Sequence, residues 1–184
     1  MNRPAVFLDR DGVLNEVVLR DGRAASPRST EELKLNPDAP EALARFRTKG
    51  FLLFAVTNQP DIARGYVPAG VIDEQNTLLA NWLPIDATYT CPHDQPADCP
   101  CRKPRPGMLL DAASEWDIAL SRSWLVGDRW VDLLAAEAAG VRPVLLSRPW
   151  SWEATSAGRP PHHLRDLPAR DSLSACVDYI VDYS

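Results

Sequence analysis

The chain lacks the features that would place it in a membrane, outside the cell or on nucleic acid. No apolar run approaches the ~18 residues of a helical membrane span. The opening segment, MNRPAVFLDRDG, meets acidic residues after a brief apolar stretch, without the hydrophobic region and small-residue cleavage site of a secretory leader. A cytoplasmic location without membrane attachment is the expectation. Positive charge is also in deficit: 20 Lys and Arg against 25 Asp and Glu give a formal net charge of -5. Nucleic-acid backbones need a basic face, so no nucleic-acid partner is expected, although a locally basic pocket can still take a small anion. Repeats, low-complexity tracts and linkers are absent, so residues 1–184 are read as a single domain, within the usual range of roughly 100–200 residues, and a monomer is expected. Cysteine is scarce. Three of the four, Cys91, Cys99 and Cys101, share one loop, which in a reducing compartment favours metal over disulfide. What the chain does have is an ordinary globular balance, 45% hydrophobic and 24% charged, with 17 prolines that imply rigid turns and loop exits.

Two short apolar runs end in polar residues: Ala5 to Leu8 before Asp9, and Phe51 to Val56 before Thr57. Both read as buried parallel strands. Between them, Asn36-Pro37-Asp38 opens an amphipathic helix carrying Ala39, Leu43 and Phe46 and stopped by Gly50. The polar insert from Gly12 to about Leu35 contains Asp21-Gly22 as a turn and reads as a functional loop or small hairpin. Further along, a helix is expected from Pro68 to about Trp82, a strand over Ile85 to Thr90, and a helix from Pro106-Gly107 to about Trp116. A strand over Trp124 to Val126 precedes Gly127-Asp128, a helix over Val131 to Ala139 stops at Gly140, and Val144 to Leu146 and Ser172 to Val181 supply a last strand and helix. The alternation predicts a doubly wound, Rossmann-like α/β parallel sheet, whose ligands gather at the carboxyl ends of the strands. Three of those ends carry Asp9, Thr57 and Asp128. The inserts leave no room for a separate cap domain, which implies an open site.

Asp9 and Asp11, in DRDGVLN, are spaced so that extended chain turns both side chains the same way. In isolation, an acidic turn closing a strand explains the pair equally well. A phosphatase built on a carboxylate nucleophile would need a magnesium ion, a cation opposite it and donors for the phosphoryl oxygens. Asp9 would be nucleophile and magnesium ligand. Asp11 would give a backbone carbonyl to the metal and act as general acid, then base. Thr57 and the Asn58 backbone would hold phosphate, Lys103 would counter developing charge, Asp128 would complete the metal site, and Asp132 would stand behind it, supporting the site from one layer out or through water.

FLDRDGVLN, VTNQ, CRKP and VGDRWVD, in that order over about residues 4 to 147, resemble the four motif segments of the haloacid dehalogenase superfamily. The resemblance implies a magnesium-dependent phosphatase working through an aspartyl-phosphate, with the roles falling on Asp9, Asp11, Thr57, Lys103 and Asp128.

Cys91, His93, Cys99 and Cys101, in CPHDQPADCPC, offer three thiolates and an imidazole, a complete tetrahedral set for structural zinc in a loop of about 91–103. Cys176 reads as a core residue, and His162 and His163 as exposed loop residues. A zinc loop leading into Arg102-Lys103-Pro104 narrows the resemblance to the subgroup of heptose bisphosphate and histidinol-phosphate phosphatases, and implies that Arg102 contacts substrate. IARGY and RKPRPGMLL resemble the heptose enzymes. The short gap between His93 and Cys99 resembles the histidinol-phosphate enzymes, and VVLRDGRAASP departs from the heptose pattern. A small phosphorylated metabolite is the expected partner, with the heptose bisphosphate preferred over histidinol phosphate or another sugar phosphate. A phosphotransferase sharing the intermediate, and a catalytically silent zinc-stabilised binding protein, are the competing classes. The aromatic stretch Trp150-Ser151-Trp152 is read as edge packing.

Overall fold

The first strand, β1 (Ala5–Leu8), is buried on both faces, because a strand at the centre of a parallel sheet meets helices above and below. A computed structural model describes residues 2–95 and 97–184; Met1, and Pro96 within the loop read as zinc-binding, lie outside the described residues. On one side β1 pairs in parallel with β4 (Leu52–Asn58), and on the other with β6 (Trp124–Gly127). The sheet is extended by β5 (Ala87–Cys91) beyond β4, and by β7 (Arg142–Leu146) and the two-residue β8 (Ala169–Arg170) beyond β6. All pairings in this six-stranded sheet are parallel.

Side chains alternate across it as the strand period of two requires. Val6 and Leu8 join Leu43 and Phe46 of α1 (Ala39–Thr48), Leu79 of α3 (Ala69–Trp82) and Val177 and Ile180 of α6 (Leu173–Asp182). Ala5 and Phe7 join Leu109 and Ala112 of α4 (Gly107–Trp116) and Ala136 of α5 (Trp130–Ala139) on the opposite face. The doubly wound architecture expected from the sequence is therefore present, and Cys176 is a core residue as expected.

Local chemistry sets the element ends. Ser172 caps α6 by accepting the Ala175 N–H at 3.1 Å, and α5 stops where Gly140 takes a left-handed conformation (φ 71°). The polar insert forms a hairpin of β2 (Val18–Arg20) and β3 (Arg23–Ala25) about the Asp21-Gly22 turn. No sequence pattern announced α2 (Pro60–Ala63), β8, or the 3₁₀ turn that carries His162 and His163, both exposed as expected. Trp152 packs on the edge with Arg165 over its ring, as expected, whereas Trp150 turns inward. Among the described residues no helix is long and apolar enough to cross a membrane.

Candidate active site

Strand order reverses around β1, and at that switch point the carboxyl ends of β1, β4 and β6 open into one crevice. A cavity of ≈310 Å³ there is lined by Asp9, Asp11, Thr57, Asn58, Arg102, Lys103 and Asp132, together with the β2–β3 hairpin and Thr155 to Ala157. Residues from six separate segments of the sequence are thus brought together.

Asp9, Asp128 and Asp132 each bring a carboxylate oxygen within 4.8 Å of the others. Lys103 answers them: its Nζ lies 2.8 Å from Asp9 Oδ1, 2.6 Å from Asp132 Oδ1 and 2.8 Å from the Val56 carbonyl. Asp132 therefore touches the lysine directly. Its Oδ2 also accepts the Arg129 backbone N–H at 3.0 Å, which fixes the start of α5.

Fully ionised, the three carboxylates would outweigh the one ammonium by two charges in a buried place, the charge of one divalent cation. Burial, with Asp132 and Asp11 nearby, pushes the Asp9 carboxyl up to about 6 despite Lys103. Burial, together with Asp9 and Asp132, pushes Asp128 well above the usual carboxylate range. Lys103 moves the other way from what burial alone would do, because Asp132 and Asp9 hold its proton. Asp128 Oδ1 is buried without a hydrogen-bond partner among the described residues. The donor set fits an oxygen-seeking ion such as magnesium. Gly12 (φ 92°) keeps the space open, since a Cβ there would fall 2.2 Å from Asp128 Oδ2.

Asp11 is gripped differently. Asn15 Nδ2 donates to its Oδ1 at 2.9 Å, and Ser26 Oγ and Gln59 Nε2 donate to its Oδ2 at 2.8 and 2.7 Å. Arg10, fully buried, approaches at 3.1 Å. Burial raises this carboxyl, but Arg10 and the three donors outweigh it and the net shift is downward. Gln59 also donates to Thr57 Oγ1 at 2.9 Å. Asn58 forms a two-bond clamp with the Lys103 backbone, donating to its carbonyl and accepting its N–H, each at 3.0 Å.

Sequence reasoning missed Arg10, Asn15, Ser26, Gln59 and Trp150. Trp150 Nε1 donates to Asp128 Oδ2, so reading this residue as edge packing needs correction. Gln59 had a usable signal: it lies two residues beyond Thr57, on the same side of an extended strand end.

Cys91, His93, Cys99 and Cys101 converge as expected. Cys91 Sγ lies 3.7 Å from Cys99 Sγ, and His93 Nδ1 lies 3.6 Å from Cys91 Sγ and 3.3 Å from Cys101 Sγ. Thiolates about 2.3 Å from a tetrahedral zinc lie roughly 3.8 Å apart, so the cluster could hold that ion. Arg102 Nη1 donates to the His93 carbonyl at 2.9 Å, which ties the loop to the cavity wall.

A family model described as HAD-hydrolase-like matches residues 100–167. The chain is 36% identical over 164 residues to the D-glycero-beta-D-manno-heptose-1,7-bisphosphate 7-phosphatase of Haemophilus ducreyi, covering 80% of this chain and 85% of that protein. The protein of the same name from Vibrio cholerae is 37% identical over 164 residues, with 80% and 83% covered. Among solved structures, the D,D-heptose 1,7-bisphosphate phosphatase of B. bronchiseptica, complexed with magnesium and phosphate, superposes with a TM-score of 0.79 at 30% identity over 98% of this chain and 99% of that one.

Proposed function

The chain belongs to the haloacid dehalogenase family of phosphatases, and on that premise we propose that it hydrolyses D-glycero-D-manno-heptose 1,7-bisphosphate at the 7-phosphate, with Asp9 as nucleophile. The observation that carries the reading is the convergence of Asp9, Asp128, Asp132 and Lys103 at three strand ends beside a cavity of substrate size. The names of the relatives supply the substrate. The short His93–Cys99 spacing still argues for histidinol phosphate, which makes that compound the necessary competitor.

Asp9 Oδ1 accepts from the Arg10 N–H and from Lys103, both at 2.8 Å, so the carboxylate is oriented before substrate arrives. A carboxylate oxygen attacks phosphorus, the ester P–O bond breaks, and Asp11 gives its proton to the leaving alcohol. In the free enzyme Asp11 is held low; an incoming phosphate adds negative charge beside it and pushes it back toward protonation. Asp11 then takes a proton from water, which attacks the phosphoaspartate and releases phosphate. Lys103, Thr57 and the Asn58 backbone hold the phosphoryl oxygens. Asp9, Asp128 and the Asp11 backbone carbonyl would hold magnesium, which when bound neutralises the transferred group. Asp132 keeps Lys103 charged and in place. Cys91, His93, Cys99 and Cys101 would hold structural zinc, with Arg102 contacting substrate.

The protein acts as a cytoplasmic monomer whose residues 1–184 form one domain. Phosphate release from the heptose bisphosphate, from histidinol phosphate and from an aryl phosphate, each with magnesium, tests the proposal. Highest kcat/KM on the bisphosphate, with activity abolished in Asp9→Asn, is expected. Preference for histidinol phosphate would overturn the substrate, and activity surviving Asp9→Asn would overturn the nucleophile.

A further inference from the structure

Two side chains that serve opposite ends of the proposed reaction share one neighbour. Thr57, which would hold a phosphoryl oxygen, stands near the carboxyl end of β4, and Asp11, which would protonate the leaving alcohol, follows β1. Gln59 lies between them, fully buried, with Nε2 2.7 Å from Asp11 Oδ2 and 2.9 Å from Thr57 Oγ1. Its backbone is held too: the N–H donates to the Cys91 carbonyl at 2.8 Å, and the carbonyl accepts the Ile62 N–H of α2 at 3.2 Å. Charge decides which way the amide faces. An ionised carboxylate only accepts, so the group against Asp11 is the amide nitrogen, and its second proton goes to Thr57. A hydroxyl that accepts from Gln59 keeps its own proton for an acceptor in the cavity, which Thr57 lines. Gln59 Oε1, turned away, is buried without a partner among the described residues. An apolar side chain of similar size would avoid that cost, so packing alone gives no reason for an amide here. Asn15, Ser26 and Arg10 also hold Asp11, but among the described residues none of them meets Thr57.

We propose that Gln59 is a positioning residue that locks the general acid and a phosphate donor into one relative geometry, giving one amide proton to each. This role rests on the phosphatase reading above and deepens it, for any phosphate ester the site takes. Gln59 is outside the cavity lining, so it acts through its two partners and not on the substrate. Two consequences separate positioning from plain support. Asp11 matters most when the leaving oxygen is basic and needs a proton, and least for a nitrophenolate, which departs without one. Loss of Gln59 therefore falls unevenly on leaving groups, whereas a loosened fold slows all of them alike. On the phosphate side, the loss is felt only while Thr57 has a hydroxyl to aim.

Gln59→Met keeps the volume and removes both donors, and is tested in the full chain with zinc and magnesium supplied. The ratio of kcat/KM for phenyl phosphate to kcat/KM for 4-nitrophenyl phosphate is expected to fall roughly tenfold, and an unchanged ratio overturns the proposal. Calorimetry with inorganic phosphate reads the other partner: binding is expected to weaken about 5–10-fold in Gln59→Met, but less than about twofold when Thr57→Val is already present. Equal weakening in the two backgrounds also overturns it. Gln59→Glu has the same shape with acceptors only, so it takes the Thr57 proton for itself and repels Asp11. Both readouts are expected to fall further in it, a match to wild type overturns the proposal, and it carries the test if the methionine variant does not fold. If wild type releases no phosphate from either ester but phosphate binding still depends on Gln59 through Thr57, the positioning stands and the phosphatase reading falls. If wild type turns over both esters and Gln59→Met slows them equally, the reading stands and the positioning falls.

Discussion

Trp150 shows how a residue of no evident chemistry enters a candidate metal site. Its indole N–H donates to Asp128 Oδ2, and Oδ1 has no partner among the described residues. Partners of this kind orient a ligand, and removing one commonly costs about 10–100-fold in metal affinity. Trp150→Phe is therefore expected to weaken magnesium binding by roughly 10-fold or more on the same scale, measured by calorimetric titration without substrate. An unchanged affinity would reduce the indole to packing. Asp9, Asp11, Thr57, Lys103 and Asp128 were legible in the sequence because each adjoins an apolar run or a distinctive loop. Trp150 was not, since it meets Asp128 across 22 residues of chain with no local pattern. Arg10 was hidden for a related reason: an arginine between two acids reads as solvated, and only the fold reveals that it is buried against Asp11 and Asn76.

At the scale of elements, the loop from Cys91 to Lys103 couples two sites. β5 delivers Cys91, Arg102 reaches back to His93, and the Asn58 clamp pins the Lys103 backbone to the end of β4. Removing zinc should loosen the loop and with it the cation that faces Asp9. A zinc-selective chelator is expected to lower Tm by roughly 10 °C, on the scale of a few kcal/mol in a chain of this length, and to lower turnover on an aryl phosphate with magnesium in excess. Unchanged turnover would uncouple the loop from catalysis. The effect has a pH sign. Burial pushes the Cys91 thiol up, so zinc must displace protons that the metal-free loop holds firmly, and zinc affinity should rise from pH 6.5 to 8 in chelator competition. The cysteine cluster itself was plain in the sequence. The hairpin's contact with Asp11 through Ser26 was not, because the register of a three-residue strand is set by what it packs against.

For the molecule as a whole, the two apolar faces of the sheet separate stability from chemistry. Ile180 of α6 is fully buried on the face shared with α1, and Ile180→Ala should cost about 2–5 kcal/mol, read from urea unfolding, with kcat unchanged at a temperature where the variant is folded. A matching fall in kcat would mean that this helix also positions the site. The strand alternation behind this division was legible from apolar runs. β8, two residues long, carried too little pattern to be seen. The active site, by contrast, belongs to no single element: Lys103 meets Asp9 across 94 residues of chain, and Asp132 comes later still. A ribosome therefore delivers Asp9 early and the lysine and carboxylates that face it late. A fragment ending before residue 132 would lack Asp132 and is expected to release no phosphate from an aryl phosphate, whereas turnover by such a fragment would show that Lys103 needs only Asp9.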